Sequence, residues 1–327
     1  MRRVRLEAKL VNKKDGDPGL LVELIGLGRF YLLDCGSIER IAKRDLRRIT
    51  RVFVSHTHVD HFIGFDRLLR HSLGEAIEVH VYGPAGLLAN LEGKFAGYLW
   101  NLQEAGPTFV GHEVEGERLR TRVFSGACQF RGGKIVEEPL AAGGVLSSEE
   151  GVEVRCVPLE HGVTVLGYCV SSSAFPSVRA GALERLGLRP GGWLNTLKEA
   201  ALSGTGPQGR IAAQGREWPA EELARELLEM RAGDRIAYVT DTLFTDRTLE
   251  SVAQLARDAS ELYCEANFRE ADAARAAATS HLTAAQAARF AQAAGARKLV
   301  LFHVSRKYDG ELEPSLAEAR TIFPNVE

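Results

Sequence analysis

Paired cysteines are missing from this chain of 327 residues. Its five cysteines (Cys35, Cys128, Cys156, Cys169 and Cys264) are scattered, odd in number, and form no C-x-x-C pair. This argues against a disulfide framework or a thiolate zinc site and for reduced core thiols in a reducing compartment. Long apolar runs are absent too: no stretch approaches the roughly 20 apolar residues that cross a bilayer. The N-terminal charges of Met1-Arg2-Arg3-Val4-Arg5 lead into no apolar segment, so no signal peptide is expected. A cytoplasmic protein with no membrane partner is the default. Excess charge is also lacking, with a formal net charge of −2 and a pI near 6.5. A whole-molecule basic field for nucleic acid is therefore excluded, and any polyanion must be met by a local patch. No repeat of roughly 20–50 residues marks a solenoid or propeller.

The remainder is an ordinary globular composition, 45% hydrophobic and 26% charged, long enough for one large α/β unit or two domains. Val4, Leu6, Ala8 and Leu10 alternate with polar residues and predict a half-buried strand. Two more strands, Leu20–Ile25 and Arg29–Leu33, flank a hairpin at Gly26-Leu27-Gly28. Ile38–Leu46 reads as a helix, as do Asp66–His71 and Ala85–Leu91, with a strand over Ile77–Tyr82 between the last two. Residues 101–148 give no regular pattern. Strands are expected over Glu153–Pro158, Val163–Val170, Arg235–Thr240, Leu262–Cys264 and Lys298–Phe302, and helices over Leu249–Ala256, Ala271–Ala278 and Ala284–Ala294. Alternating strands and helices with long crossovers give a layered α/β architecture. Residues 171–232 are the least sheet-like part and are expected to form an insertion lying over the site.

One stretch carries the chemistry. The apolar β-branched run Val52-Phe53-Val54 ends in Ser55-His56-Thr57-His58-Val59-Asp60-His61. Three of the chain's nine histidines fall there beside a carboxylate. Imidazole and carboxylate together suit zinc, iron or manganese. Other strands end in the same residue types, at His161, Asp241 and His303. Seven donors converging at one sheet edge are enough for two divalent ions with one carboxylate bridging, the arrangement that clamps both oxygens of a phosphodiester displacement. Taken singly, His161 reads as a turn residue and Asp241 as a helix N-cap. His71, His80 and His112 have no such neighbours in sequence and are expected to be surface or core residues.

The H-x-H-x-D-H cluster with later His, Asp and His resembles the metallo-β-lactamase superfamily. The segments Val157–Val163, Cys264–Phe268, His281–Ala288 and Phe302–Tyr308 resemble its ribonuclease Z branch. The resemblance spans about Asp34 to Tyr308. It implies a single αββα sandwich over residues 1–327, two mixed sheets face to face with helices outside, with a substrate arm at about 171–232. It implies two zinc ions, manganese or iron being alternatives, with His56, His58 and His161 on one and Asp60, His61 and His303 on the other. Asp241 would bridge them. Asp60 would also orient or deprotonate the attacking water, and His281 would contact the scissile phosphate or protonate the leaving oxygen; otherwise His281 merely caps a helix. Glu265 would orient a ligand or His281, or be a simple salt-bridge residue, and Asp34 would hold the histidine loop through backbone amides. Arg189, Trp193 and Lys198 of the arm would contact RNA, against a reading as a buried tryptophan and solvated cations.

The function so implied is a phosphodiesterase that cleaves the 3′ trailer from precursor tRNA through a hydroxide activated by two metals, in a homodimer. A small-molecule hydrolase on the same core (a cyclic-nucleotide phosphodiesterase, arylsulfatase or lactonase) is the alternative, and a non-catalytic metal-bearing subunit is a third. Three departures locate the substrate question: Val59 stands where the family usually has glycine, Ser37-Ile38-Glu39-Arg40 replaces its acidic-Gly-Thr-Gln segment, and Gly191-Gly192 replaces a Gly-Pro.

Overall fold

The computed structural model describes residues 3–101, 106–203 and 206–327. Met1 and Arg2 of the charged N-terminus, 102–105, and Gly204 and Thr205 of the glycine-rich stretch lie outside the described residues.

Eight strands build the first sheet in chain order. They are β1 (Arg5–Leu10), β2 (Leu20–Ile25), β3 (Arg29–Leu33), β4 (Ile49–Phe53), β5 (Glu78–Pro84), β6 (Thr108–Glu115), β7 (Arg118–Ser125) and β8 (Val136–Pro139). The strands from β3 to β6 run parallel through helical crossovers, while the two ends of the sheet pair antiparallel. The second sheet begins with β9 (Val145–Glu149), β10 (Val152–Glu160) and β11 (Thr164–Ser172). The chain then leaves the sheet. β12 (Phe175–Val178) pairs with β15 (Leu228–Arg231), and β13 (Arg210–Ala213) with β14 (Arg216–Pro219), around helices Gly192–Ala201 and Ala220–Leu227. This excursion has its own apolar cluster, with Leu197, Leu223 and Leu227 buried. The chain returns as β16 (Arg235–Val239), β17 (Glu261–Glu265) and β18 (Leu299–Phe302), giving the order β18-β17-β16-β11-β10-β9.

Strand alternation explains the layering. Leu20, Val22 and Leu24 of β2, Leu166, Tyr168 and Val170 of β11, and Ile236 and Tyr238 of β16 share one core between the sheets. The intervening residues Cys169, Ala237, Val239, Leu299 and Leu301 face helices Asp246–Leu255 and Ala284–Ala294 instead. Helix Ala284–Ala294 matches its expected span because its ends are signalled locally. Thr283 and Gln286 form a capping box, and Gly295 (φ 63°) closes the C-terminus in the left-handed region. Helices Phe65–Ser72 and Leu87–Ala96 cover the first sheet's other face. The architecture is the expected αββα sandwich of two mixed sheets. No helix among the described residues is long and apolar enough to cross a membrane, and all five cysteines are free.

One expectation fails. Ile38–Leu46 forms only one helical turn, Lys43–Leu46. Ile38 and Ile41 are buried in a turn closed by Ile41 N–H to the Ile38 carbonyl, and Asn12 Nδ2 donates to the Ser37 carbonyl. The segment 106–148, for which the sequence gives no regular pattern, holds the long hairpin β6–β7; β6 buries both faces over part of its length and so shows no clean alternation.

Candidate metal centre

The site lies where strands of both sheets end. β3 stops at Leu33 before Asp34, β4 at Phe53 before the histidine loop, β16 at Val239 before Asp241, and β18 at Phe302 before His303. Asp34 (φ 57°), Asp241 (φ 41°) and His303 (φ 54°) all take left-handed backbone conformations. Such conformations cost roughly 1–3 kcal/mol each in non-glycine residues and persist where surrounding contacts fix them.

The histidine loop is clamped by two glycines. A Cβ on Gly36 would lie 2.2 Å from the Asp60 carbonyl oxygen, and one on Gly64 would lie 2.0 Å from the Gly36 carbonyl oxygen. Only glycine permits that approach. Cys35 N–H donates to the His61 carbonyl at 2.8 Å, and Gly64 N–H to the Cys35 carbonyl at 2.9 Å, closing the clamp.

Asp34 is fully buried beneath the loop. Its Oδ1 accepts from Ser55 N–H at 2.6 Å, as a backbone-holding carboxylate would, but Oδ2 does more. It sits 2.8 Å from Ser55 Oγ, from His61 Nδ1 and from Tyr238 Oη. A carboxylate only accepts, so His61 Nδ1 carries a proton and Nε2 is the ring nitrogen left to face the cleft. Ser55 and Tyr238 were not singled out from sequence. Tyr238 lies three residues before Asp241 on β16, in register with Tyr168, and the hydroxyls of both tyrosines serve the site. Tyr168 Oη donates to the Val54 carbonyl at 2.6 Å.

Around Asp241 the imidazoles converge. His61, His161 and His56 place Nε2 at 3.3, 3.5 and 3.8 Å from Asp241 Oδ2, and His303 Nδ1 lies 2.9 Å from Oδ1. Thr240 Oγ1 donates to Asp241 Oδ1 at 2.7 Å. His161 is oriented by its Nδ1, 2.8 Å from the Ser280 carbonyl. His58 packs edge-on to His56 and His161. Asp60 Oδ2 lies 3.5 Å from His303 Nε2 and 3.7 Å from His61 Nε2. Donor atoms of His56, His58, His161 and Asp241 all lie within 4.8 Å of one another, as do those of Asp60, His61 and His303.

A cation fits this donor set. The Nε2 atoms of His56 and His61 are buried without a hydrogen-bond partner among the described residues. Buried polar atoms are nearly always satisfied, so lone pairs aimed at a common centre point to ligation. Electrostatics agrees. Burial, with its neighbouring imidazoles, pushes the His56 pKa down to about 2, so it stays neutral. His61 is opposite: burial disfavours its charge, but Asp34 and Asp241 outweigh burial and raise its pKa to about 10. His303 likewise overcomes burial and is raised, chiefly by Asp241. Hydrogen bonding to His303 holds Asp60 down at about 2. Metal-free, the cluster stores protons in the place of cations.

Glu265 ends β17, fully buried: Oε1 accepts from Thr242 N–H at 2.8 Å and Oε2 sits 2.8 Å from His281 Nδ1, an ion pair as well as an orienting contact. Donor atoms of Asp241, Glu265, His281 and His303 also fall within 4.8 Å. Both Glu265 oxygens are already engaged, which favours the positioning role over ligation. Burial disfavours the charged form of His281, but Glu265 outweighs it and raises the pKa. Arg189, Trp193 and Lys198 belong neither to these clusters nor to the cavity beside them; Trp193 packs against the excursion's own apolar cluster. Outside the site, His80 Nδ1 and His112 Nε2 meet at 2.9 Å across β5 and β6, a pairing that neither strand's sequence announces. His71 lies on helix Phe65–Ser72, away from both.

Comparison with known proteins agrees with this geometry. Residues 32–176 match the Beta-lactamase superfamily domain. Ribonuclease Z of Deinococcus radiodurans is 33% identical over 308 residues, covering 90% of this chain and 88% of that protein. Ribonuclease Z of Methanosarcina acetivorans is 30% identical over 311 residues, covering 91% and 86%. Among solved structures, the metallo-beta-lactamase fold protein YhfI of Bacillus subtilis superposes with a TM-score of 0.56 at 16% identity, covering 98% of this chain and 94% of that one. Human tRNase Z, short form, gives 0.52 at 17% identity, covering 94% of each.

Proposed function

We propose, for a chain that belongs to the ribonuclease Z family of metallo-β-lactamase-fold hydrolases, that it is an endonuclease releasing the 3′ trailer of precursor tRNA. The observation that carries this reading is a seven-donor cluster at the strand ends of a chain 33% identical to a ribonuclease Z over nine-tenths of its length. The fold implies a divalent metal; two zinc ions, or manganese or iron in their place, are the proposed complement. His56, His58 and His161 would hold one, Asp60, His61 and His303 the other, and Asp241 would bridge them. When bound, the ions would acidify a water and neutralise charge building on the phosphoryl oxygens.

The chain's own groups supply the rest. Asp60, ionised through its contact with His303, would accept the proton of the attacking water. As the water oxygen bonds to phosphorus, the bond to the 3′ oxygen breaks, leaving a 3′-hydroxyl on the tRNA and a 5′-phosphate on the trailer. His281 would give the leaving oxygen its proton from Nε2, because Glu265 holds Nδ1 and favours the charged ring. Asp34 would keep His61 in the tautomer that frees Nε2. The excursion over 171–232 would be the substrate arm of one domain spanning 1–327. With eight cations against seven carboxylates, it would grip RNA through local contacts by Arg189, Trp193 and Lys198. A homodimer in the cytoplasm is the assembly and setting this reading expects, consistent with five free cysteines.

The test is to incubate metal-replete protein with a precursor tRNA and map the product ends. A mature-length product with a 3′-hydroxyl supports the reading. Intact precursor, alongside fast turnover of a small phosphodiester, would reject the tRNA assignment and keep the metal chemistry.

A further inference from the structure

A cavity of about 540 Å³ opens beside the metal centre, lined by Asp60 and His303 of the cluster but not by His281. One wall is apolar. Val59 and Ile63 stand one helical turn apart at the two ends of the short helix Val59–Phe62, 71% and 49% exposed. The neighbouring Phe62 and Phe65 are buried, so these two are the apolar side chains of the segment left facing solvent. Scattered exposed hydrophobics are ordinary. An adjacent pair lining a cavity continuous with a reaction centre is not scattered.

The cavity's charge selects what can lie on that wall. Apart from Asp60 and His303, which the proposed ions would engage, its charged lining is Asp15, Asp17 and Arg306. Arg306 is paired with Asp17 at 3.6 Å. A space with this excess of carboxylates disfavours a phosphate and accepts a neutral group with an apolar face. On a polynucleotide held by its phosphate at the metal centre, the neutral flat group one bond path away is a nucleobase.

We propose that Val59 and Ile63 form the stacking platform for the first nucleobase of the trailer. The proposal rests on the RNA-cleaving reading above. In that reading His281 faces the leaving 3′ oxygen of the upstream nucleotide, and the cavity on the Asp60 side is left for the downstream one. A glycine at position 59, which the family resemblance leads one to expect, would remove half of the platform; the valine therefore tunes this chain toward base contact at that position.

A cycle of abasic substrates and variants tests it. The rate constant kcat/KM is measured for precursor tRNA that is intact, abasic at the first trailer nucleotide, or abasic at the nucleotide upstream of the cut. Wild-type protein, Ile63→Ser, and Val59→Ala combined with Ile63→Ser are compared at equal metal content. Removing the first trailer base should cost the wild type about tenfold, the scale of burying roughly 50–60 Å² of apolar surface. In the double variant the same removal should cost less than about twofold, with Ile63→Ser between. An equal penalty in all three proteins, or a coupling that falls on the upstream base instead, overturns the platform. If wild-type protein leaves the intact precursor uncut, the functional reading fails first, and that result is separate from the loss of coupling.

Discussion

Replacing Asp34 by asparagine should weaken metal binding without touching a ligand. Asparagine keeps the shape of the side chain and tolerates the left-handed backbone at this position, so the change is one of hydrogen-bond sense. With its oxygen toward Ser55 N–H, the amide points its NH2 at Ser55 Oγ, Tyr238 Oη and His61 Nδ1. The two hydroxyls can rotate and accept. The imidazole can accept only by moving its proton to Nε2, the atom that lies 3.3 Å from Asp241 Oδ2 and is needed for the metal. The cost is that of one hydrogen bond to a charged group, about 1.5–3 kcal/mol. That corresponds to the roughly 10–100-fold loss typical when a ligand's orienting partner is changed. Chelator competition on wild type and Asp34→Asn measures it. Affinity within about twofold of wild type would refute the tautomer argument.

Metal loading should release protons, because His61 is protonated near neutrality in the metal-free chain, with a pKa of about 10, and His303 is raised as well. Affinity should therefore climb with pH by roughly tenfold per unit for each proton displaced, until those groups are neutral. Pot titration in weak buffer checks the release, and a flat affinity across neutral pH contradicts it. His281→Ala should cut kcat by about 10²–10⁴-fold while metal content holds, the scale of a lost general acid; a parallel fall in bound metal would instead make His281 a ligand. Tyr168→Phe should cost about 0.5–1.5 kcal/mol in denaturant unfolding, since the Val54 carbonyl loses its donor while the ring's packing stays. No measurable change would mean that this bond does not hold the histidine loop.

The candidate ligands were legible because each follows an apolar strand that stops abruptly, and a strand end is a local signal. His56, His161, Asp241 and His303 needed only that pattern to be grouped, and the sandwich followed from the order of strands and crossovers. Their supports were not legible. Ser55 meets Asp34 from 21 positions away at the ends of the parallel neighbours β3 and β4, and Tyr238 from 204 positions away, where the two sheets pack face to face. The His80–His112 pair depends on the register of parallel neighbours, which alternation within one strand does not encode. Ile38–Leu46 shows the reverse failure: a stretch read as a helix forms only the turn Lys43–Leu46, with Ile38 and Ile41 buried outside it. The roles of Arg189, Trp193 and Lys198 are hidden for another reason: charge on a surface arm acquires meaning only against a bound partner.

Seven side chains from four strand ends are proposed to make one centre for two metals. Elemental analysis of active protein, purified without added metal and again after loading and desalting, is the direct test. Two equivalents per chain are expected at full activity, with Asp241→Ala losing both, because the bridging carboxylate would serve each site. One equivalent at full activity, or an Asp241→Ala protein that retains two, would contradict it.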